Sequence, residues 1–268
     1  MMQKRVTRLG PREAEFLSLL SSKSSMFDFE QAVGFWGSRE MAGKKLSVLE
    51  KRGWLARLEK GKYLIIPLEA GIDRNWSEES YLIATSLAKP AAIAYWSAMR
   101  HWNWTEQIPR IVYVQTTRRK KNARSTILGV QYEFVTVNGR KFFGNIKEWR
   151  QGQPVLITGR EKTLLDCADD VERAGGIEEL EKAVRNGAPG ASWPTLHEHV
   201  RRFPNRAAAK RLGFLVETLV PNLPAEARQI LAQWQSMLSA GIAHLDPGGR
   251  KTGRINSRWR VKVNAEVG

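Results

Sequence analysis

Residues 45–65, KLSVLEKRGWLARLEKGKYLI, decide the fold of the first part of the chain. Apolar residues at helical spacing lead up to Gly53, and two short apolar runs follow at 54–58 and 63–66. Glycine commonly ends a helix because it adopts left-handed backbone angles without steric cost. A short glycine-containing turn with two lysines separates the runs, so the stretch predicts a helix followed by a β-hairpin with a basic tip.

Two further helices are predicted upstream of this stretch. Pro11 is typical of the first turn of a helix, and an apolar stripe follows it. Asp28 is a suitable N-cap for a second, short helix, and Ser38 is a suitable N-cap for the third helix over about 39–52. Because three helices followed by a hairpin are typical of winged helix-turn-helix domains, we expect one over residues 1–70.

The predicted third helix has an apolar face and a polar face. At about 100° per residue, Ala42, Leu46 and Leu49 share one side, and Lys44 and Lys51 lie on the other. In a winged helix-turn-helix the third helix enters the major groove and the hairpin contacts phosphates or the minor groove. The predicted DNA-binding residues are Ser38, Arg39, Lys44, Lys45, Ser47, Lys51, Lys60 and Lys62.

The remaining residues alternate between helical and strand patterns. After a linker at about 68–75, the predicted helices are 77–88, 90–102, 160–173, 176–186, 192–203, 206–220 and 224–239, and the predicted strands are 110–116, 131–137, 142–146 and 154–158. We therefore expect an α+β fold, in which the winged domain precedes a mixed α/β domain at 76–245. A basic tail at 246–268 is expected either to be disordered or to add a strand at 258–263.

The chain is strongly basic. It has 43 Lys and Arg residues against 27 Asp and Glu residues, a net charge of +16. Such a surface favours nucleic acid, an anionic membrane or an acidic protein as partner, or is simply solvated. A basic amphipathic helix with large apolar residues, which membrane binding would favour, is not evident.

A second basic segment lies in the middle of the chain. Between Arg110 and Arg150 there are ten basic and two acidic residues. Such charges repel one another unless solvent or an anion compensates them. A second contact with the DNA backbone and a solvated loop are equally plausible, and an acidic face of a partner protein is the third alternative. The residues in question are Arg118, Arg119, Lys120, Lys121 and Arg124.

No catalytic constellation is apparent. His197 and His199 are two residues apart, which separates their rings on a helix, and Cys167 has no histidine at a suggestive spacing. Asp166 and Asp170 share a helical face, but aspartates near helix ends are commonly solvated. We therefore expect no enzyme activity, no metal and no cofactor.

Three features favour a cytoplasmic protein without a membrane anchor. Its single cysteine cannot form an internal disulfide, which suits a reducing compartment. No apolar run approaches the roughly 20 residues that span a bilayer, and the N-terminus lacks the apolar region of a secretory signal.

The order of several phrases resembles the AbiEi antitoxins of type IV toxin–antitoxin and abortive-infection systems. Besides 45–65, these are AYWSAMRHWNWTEQIPRIVYVQTTRRKK (94–121), ILGVQYEFVTVNGRKFFG (127–144), REKTLLDCADDVERAGGIEELEKAV (160–184) and AAAKRLGFLVE (207–217). The resemblance implies a winged domain that binds operator DNA, expected to contain inverted repeats. It also implies a C-terminal domain that helps to position the protein on DNA and opposes a nucleotidyltransferase-like toxin, without necessarily forming a stable complex with it.

Two segments depart from this resemblance. The basic tail beyond about 245 is not part of the family pattern, and the N-terminal residues with Lys4, Arg5 and Arg8 are either a DNA-binding arm or disordered. Two other functions also remain open: a winged-helix transcription factor that responds to a ligand or signal, and a basic protein-interaction module.

Overall fold

The structure is a computed structural model that describes residues 9–70 and 80–268. The predicted arm at Lys4, Arg5 and Arg8 and the part of the predicted linker after Ala70 lie outside the described residues. The described chain forms two compact units. The first comprises the residues up to Leu87 together with Ile127–Gly129, and the second comprises Ala88–Thr126 and Val130–Gly268.

The first unit combines helices with a small antiparallel sheet. Its elements are α1 (Pro11–Ser21), β1 (Met26–Asp28), α2 (Phe29–Trp36), α3 (Arg39–Lys51), β2 (Leu55–Glu59), β3 (Lys62–Ile65) and α4 (Ser80–Leu87). The strand order is β1-β3-β2, and Phe27 on β1 lies opposite Tyr63 on β3. The core includes Phe16 and Leu49, and the ring of Phe16 packs edge-on against that of Phe27 with centroids 5.5 Å apart.

Local sequence explains how α2 gives way to α3. Gly37 ends α2 with a φ of 82°, a left-handed conformation that favours glycine. Ser38 follows in an extended conformation, and its Oγ accepts a hydrogen bond from Met41 N–H at 3.2 Å. This N-cap satisfies a backbone donor that has no partner inside the helix, and it fixes the direction in which α3 begins.

A buried carboxylate joins α1 to α3. Glu13 accepts hydrogen bonds from Gly10 N–H, Lys45 Nζ and Arg52 Nη1, each at 3.2 Å. Burial raises the pKa of the Glu13 carboxyl, but the Gly10 N–H and the two cations outweigh burial, so its pKa lies below the ordinary value of 4.5. The ionised carboxylate therefore stabilises the first unit.

Replacing Glu13 with Gln is expected to destabilise the first unit by about 1–2 kcal/mol at pH 7, because charge-assisted hydrogen bonds are lost. Since the pKa is depressed on folding, this contribution is present above pH 4.5 and is lost as the pH falls through the folded-state pKa. Pulsed hydrogen exchange of α1 peptides in urea, at pH 7 and at pH 3, measures the difference. If the stability difference between the wild-type protein and Glu13→Gln were the same at both pH values, the charge of Glu13 would not be its cause.

The second unit contains most of the helices and two sheets. Its helices are α5 (Tyr95–His101), α6 (Arg160–Asp169), α7 (Ile177–Gly187), α8 (Trp193–Arg202), α9 (Arg206–Leu219) and α10 (Ala225–Ser236). Its strands are β4 (Ala92–Ile93), β5 (Ile111–Thr116), β6 (Arg124–Ile127), β7 (Val130–Thr136), β8 (Asn145–Arg150), β9 (Gln153–Thr158), β10 (Ala243–His244), β11 (Arg254–Asn256) and β12 (Val261–Val263). This mixture of helices and sheets confirms the α+β class.

The larger sheet is mixed, with strand order β6-β7-β5-β4-β9-β8. β5 runs parallel to β7, and β4 runs parallel to β9, whereas β8 and β9 are antiparallel. The helical core centres on apolar side chains of α6 to α10 that are excluded from solvent, such as Leu164, Leu180 and Leu215. The smaller sheet, with order β10-β12-β11, is formed by the C-terminal residues.

The structure differs from the sequence prediction in several segments. The helix predicted over 90–102 is wrong in its first part, because Ala92–Ile93 pairs with β5 and β9 and the helix begins only at Tyr95. The strand predicted over 142–146 begins at Asn145, after Gly144 turns the chain with a φ of 64°. For the basic tail, 246–268, the alternative of an added strand at 258–263 is confirmed in part, because Val261–Val263 forms β12 and pairs with β11 within the second unit.

The boundary between the two units, after Leu87, lies further along the chain than the boundary predicted between residues 70 and 76. The helix Ser80–Leu87 falls in the first unit, although it is part of the predicted domain at 76–245. A hydrogen bond of 2.5 Å from Lys62 Nζ to the carbonyl oxygen of Ser86 connects β3 to this helix.

Candidate nucleic-acid interface

The outward face of α3 carries the candidate base-reading residues. Ser38, Arg39, Lys44, Ser47 and Lys51 are all exposed, as their predicted role requires. The buried side is formed by the three apolar residues of the predicted stripe. α3 therefore presents a row of hydroxyl, guanidinium and ammonium groups to solvent.

Arg39 occupies the first turn of α3, close to the N-terminal end that reads bases in helix-turn-helix proteins. Its side chain is 69% exposed, and its Nη1 lies 2.7 Å and 3.0 Å from the two carboxylate oxygens of Glu30. Its guanidinium carbon lies 5.2 Å from the ring centroid of Phe29. Thus Arg39 is oriented by α2 but remains accessible.

The two adjacent lysines of α3 differ in their surroundings. Lys44 is exposed and pairs with Glu40 at 2.6 Å, one turn earlier in the helix. Lys45 is half-buried, because its ammonium group contacts Glu13 and lies 5.4 Å from the ring centroid of Trp36. Lys45 therefore holds α3 against α1, which makes it a weaker candidate for DNA contact than Lys44.

The turn between β2 and β3 forms one wall of a cleft. This cleft, about 670 Å³ in volume, is lined by Arg39 on α3 and by Arg57, Lys60 and Lys62 on the hairpin, and also by the acidic Asp28 and Glu30. Lys60 is exposed, whereas Lys62 is half-buried by its contacts with Ser86 and with Glu59 at 3.6 Å. The structure thus brings the first turn of α3 and the hairpin together around a cleft in which four cations outnumber two carboxylates.

Three residues of this surface were not predicted from the sequence. Arg57 is exposed next to an irregularity in the β2–β3 register. Simple strand alternation would have placed it on the same face as the buried Leu55, so the sequence gives no signal for it. Met41 and Val48 are exposed on α3. They are seven residues apart, two helical turns, and lie outside the apolar stripe, which is the signal that could have found them.

The basic segment at 118–124 lies in the second unit, between β5 and β7. Arg118, Arg119 and Lys121 are exposed, whereas Lys120 Nζ lies 4.6 Å from the ring centroid of Phe134. Arg124 is bound to the buried carboxylate of Glu133 at 2.7 Å. Thus Arg118, Arg119 and Lys121 are the more accessible candidates for an anion.

The groups considered for catalysis are surrounded mainly by structural contacts. His197 Nδ1 accepts a hydrogen bond from Trp234 Nε1 at 3.1 Å, and burial raises the pKa of the Cys167 thiol well above its ordinary range. Asp166 is buried and bound to Lys162. Within 9–70 and 80–268, no three His, Cys, Asp or Glu side chains are grouped as a metal site would require.

Comparison with known proteins gives a structural relative but no sequence relative. No protein-family profile matches the chain, and no curated protein sequence matches it. The crystal structure of the Rv2827c protein from Mycobacterium tuberculosis superimposes with a TM-score of 0.65 and 15% sequence identity, covering 96% of this chain and 93% of that one. The two chains therefore share a fold over nearly their whole lengths. In the described part of the chain, every helix is too short or too polar to cross a bilayer.

Proposed function

We propose that the protein is a DNA-binding transcriptional repressor whose first unit is a winged helix-turn-helix. The observation that carries the proposal is the cleft at which Arg39 on α3 meets Arg57 and Lys60 on the hairpin. The order α1-β1-α2-α3-β2-β3, with the strands arranged β1-β3-β2, supports the proposal because it is typical of winged domains. The third helix then enters the major groove, and the hairpin contacts the backbone or the minor groove.

Arg39 can give up its ion pair with Glu30 and contact a DNA base at little cost in free energy. An exposed ion pair contributes only about 0–1 kcal/mol to stability, so breaking it costs little. A bidentate contact from arginine to guanine discriminates against other bases by about 1–3 kcal/mol. Arg39 is held in place before binding and loses little when it moves to guanine. Met41 and Val48 supply apolar contacts of the kind that recognise a thymine methyl group.

Within this proposal, the protein is an autorepressor and antitoxin of the AbiEi type, which opposes a nucleotidyltransferase-like toxin. The net charge of +16 and the exposed cations of 118–124 support a role on DNA. The antitoxin part is supported by the sequence resemblance. It is tested by expressing an adjacent nucleotidyltransferase-like gene alone and together with this chain, and by comparing cell growth.

The DNA-binding part is tested by a mobility shift with the DNA immediately upstream of the gene, at two salt concentrations. We expect a specific shift that weakens steeply with salt, because cations that neutralise phosphates release counterions. An unrelated duplex of the same length is the control. If the protein shifts neither duplex, the repressor proposal fails.

Replacing Arg39 with Ala is expected to cost about 1–3 kcal/mol of binding free energy on the operator and to leave binding to unrelated DNA nearly unchanged. Competition titrations with operator variants measure the loss of base preference. The matched control is Glu30→Gln, which removes the acidic partner of Arg39 but leaves the arginine and its charge in place. This variant should keep the base preference of the wild-type protein. Wild-type affinity and preference in the Arg39 variant would exclude α3 as the reading helix.

A further inference from the structure

The C-terminal residues form a β-hairpin that is fixed to the helical core. β11 and β12 pair antiparallel, with Ile255 opposite Lys262. Trp259, between the two strands, is fully buried, and its Nε1 donates a hydrogen bond to Glu217 on α9 at 2.8 Å. Trp259 therefore ties the hairpin to the core of the second unit.

A second set of contacts fixes the segment that leads into β11. Asn264 Nδ2 donates hydrogen bonds to the carbonyl oxygens of Asp246 at 2.8 Å and Arg250 at 2.6 Å. At Gly253 the backbone comes so close to β12 that a Cβ would lie 2.3 Å from the carbonyl oxygen of Val263. The segment 250–256 is thus held at both ends, which limits the entropy that a ligand would have to remove.

Three cations on this segment are uncompensated. Arg250, Lys251 and Arg254 are exposed, and none of them forms an ion pair with a carboxylate of the described residues. This contrasts with α3, where Arg39 and Lys44 each have an acidic partner. Like charges repel one another, and a bound polyanion relieves that repulsion.

We propose that Arg250, Lys251 and Arg254 bind the sugar-phosphate backbone of duplex DNA, as a contact in the second unit that is independent of sequence. The proposal rests on the DNA-binding function proposed above, and it gives a function to a segment that the family pattern does not contain. Arg254 begins β11, and Arg250 and Lys251 lie in the segment that leads into it, so the contact is made by cations of one continuous segment.

The composition of the exposed segment favours DNA over an acidic protein. Protein interfaces centre on aromatic and large apolar anchors, and Ile255 is the only large apolar residue in 247–258. Phosphate contacts need cations together with hydroxyl and amide donors. The same stretch supplies Thr252, Asn256 and Ser257.

A shallow groove of about 410 Å³ lies against the hairpin and provides room for a backbone segment. Arg254, Ser257 and Arg258 line it together with the apolar side chains of Ile255, Val263 and, on α9, Phe214. Arg258 is oriented by Glu217, at 2.8 Å, and so stands beside the groove with part of its charge neutralised. Arg254 supplies the uncompensated charge there.

The test compares two full-length variants that lose the same charge. Arg250→Ala/Lys251→Ala/Arg254→Ala removes the proposed contact, whereas Lys89→Ala/Arg201→Ala/Arg228→Ala removes three exposed cations elsewhere in the second unit. Binding to operator and unrelated duplexes is measured over a range of salt concentrations. Each lost phosphate contact reduces the slope of log K against log salt by about 0.9.

In the Arg250/Lys251/Arg254 variant we expect the magnitude of the slope of log K against log salt to fall by about 2–3 on both duplexes. At low salt this variant should bind each duplex at least about tenfold more weakly than the wild-type protein. Its preference for the operator should be unchanged, because the base-reading residues are intact. The control variant should show a much smaller change in slope. Equal thermal unfolding midpoints of the two variants show that both remain folded, as expected for exposed side chains.

A hairpin variant with the slope of the wild-type protein overturns the inference while leaving the repressor proposal intact. The inference is likewise overturned if the slope is unchanged and the variant instead loses affinity for polyglutamate, which would assign the hairpin to an acidic polypeptide. If the wild-type protein shows no salt-dependent DNA binding, both proposals fail together.

Discussion

Replacing Lys162 with Met is expected to destabilise the second unit by about 3–5 kcal/mol, because it leaves the Asp166 carboxylate buried without its countercharge. The side chain of Lys162 has no exposed surface, and that of Asp166, one turn later on α6, has almost none. The ammonium group also lies 5.2 Å and 5.4 Å from the ring centroids of Phe143 and Phe203. Lys162 thus connects α6 to the segment before β8, which contains Phe143, and to the segment after α8, which contains Phe203. Urea denaturation followed by circular dichroism measures the loss.

The double variant Lys162→Met/Asp166→Asn separates the charge from the packing. Replacement of a complete buried pair by groups of similar volume is often nearly neutral, so we expect the double variant to regain most of the lost stability. If the double variant is as unstable as the single one, packing of the lysine stem, and not the unpaired charge, explains the loss.

The pH dependence provides a second check on the single variant. Burial raises the pKa of Asp166, and Lys162 partly offsets this. Without Lys162 the pKa rises further, so the folded state binds the proton more tightly than the unfolded state. Protonation then relieves the penalty, and the stability deficit relative to wild type should be smaller at pH 5 than at pH 8. A deficit that grows on acidification would contradict this assignment.

Local sequence signals predict most of the elements but not the short paired strands. The third helix, predicted at 39–52, is Arg39–Lys51, because its cap, apolar spacing and terminal glycine are all encoded within the segment. Met26–Asp28 was not predicted as a strand, since three residues after a serine-rich stretch have no periodicity of their own. Ala92–Ile93 is drawn into the sheet by β5 and β9, against the helical propensity of its alanine-rich surroundings.

The candidate site shows the same division between local and long-range information. Helical periodicity identifies the exposed face of α3 because exposure follows from the apolar stripe opposite it. The contact of Lys45 with Glu13, 32 residues earlier, depends on how α1 packs, and no spacing rule anticipates it. Lys62 is likewise occupied by Ser86, 24 residues later. Basic composition therefore overestimates the number of cations that are available to DNA.

Replacing Trp259 with Ala is expected to cost about 3–5 kcal/mol of stability in the second unit, since a fully buried indole and its hydrogen bond to Glu217 are both lost. The loss should be concentrated at the C-terminal sheet. Hydrogen exchange measured by mass spectrometry should show faster exchange in 254–263, while amides of α6 remain protected. If amides throughout the second unit exchanged faster to the same extent, Trp259 would stabilise the whole unit and not the C-terminal hairpin in particular.

A substitution at Gly213 tests whether packing between α9 and Trp259 accounts for the stability that Trp259→Ala loses. A Cβ at Gly213 on α9 would lie 2.1 Å from the indole ring, so Gly213→Ala in the wild-type protein forces the ring or the helix to move. Overpacking of this kind costs about 1–3 kcal/mol. In the Trp259→Ala background the same methyl group enters the space left by the indole, and alanine has the higher helix propensity. We therefore expect Gly213→Ala to be neutral or stabilising there. Additive losses in the double variant would show that the two residues do not interact.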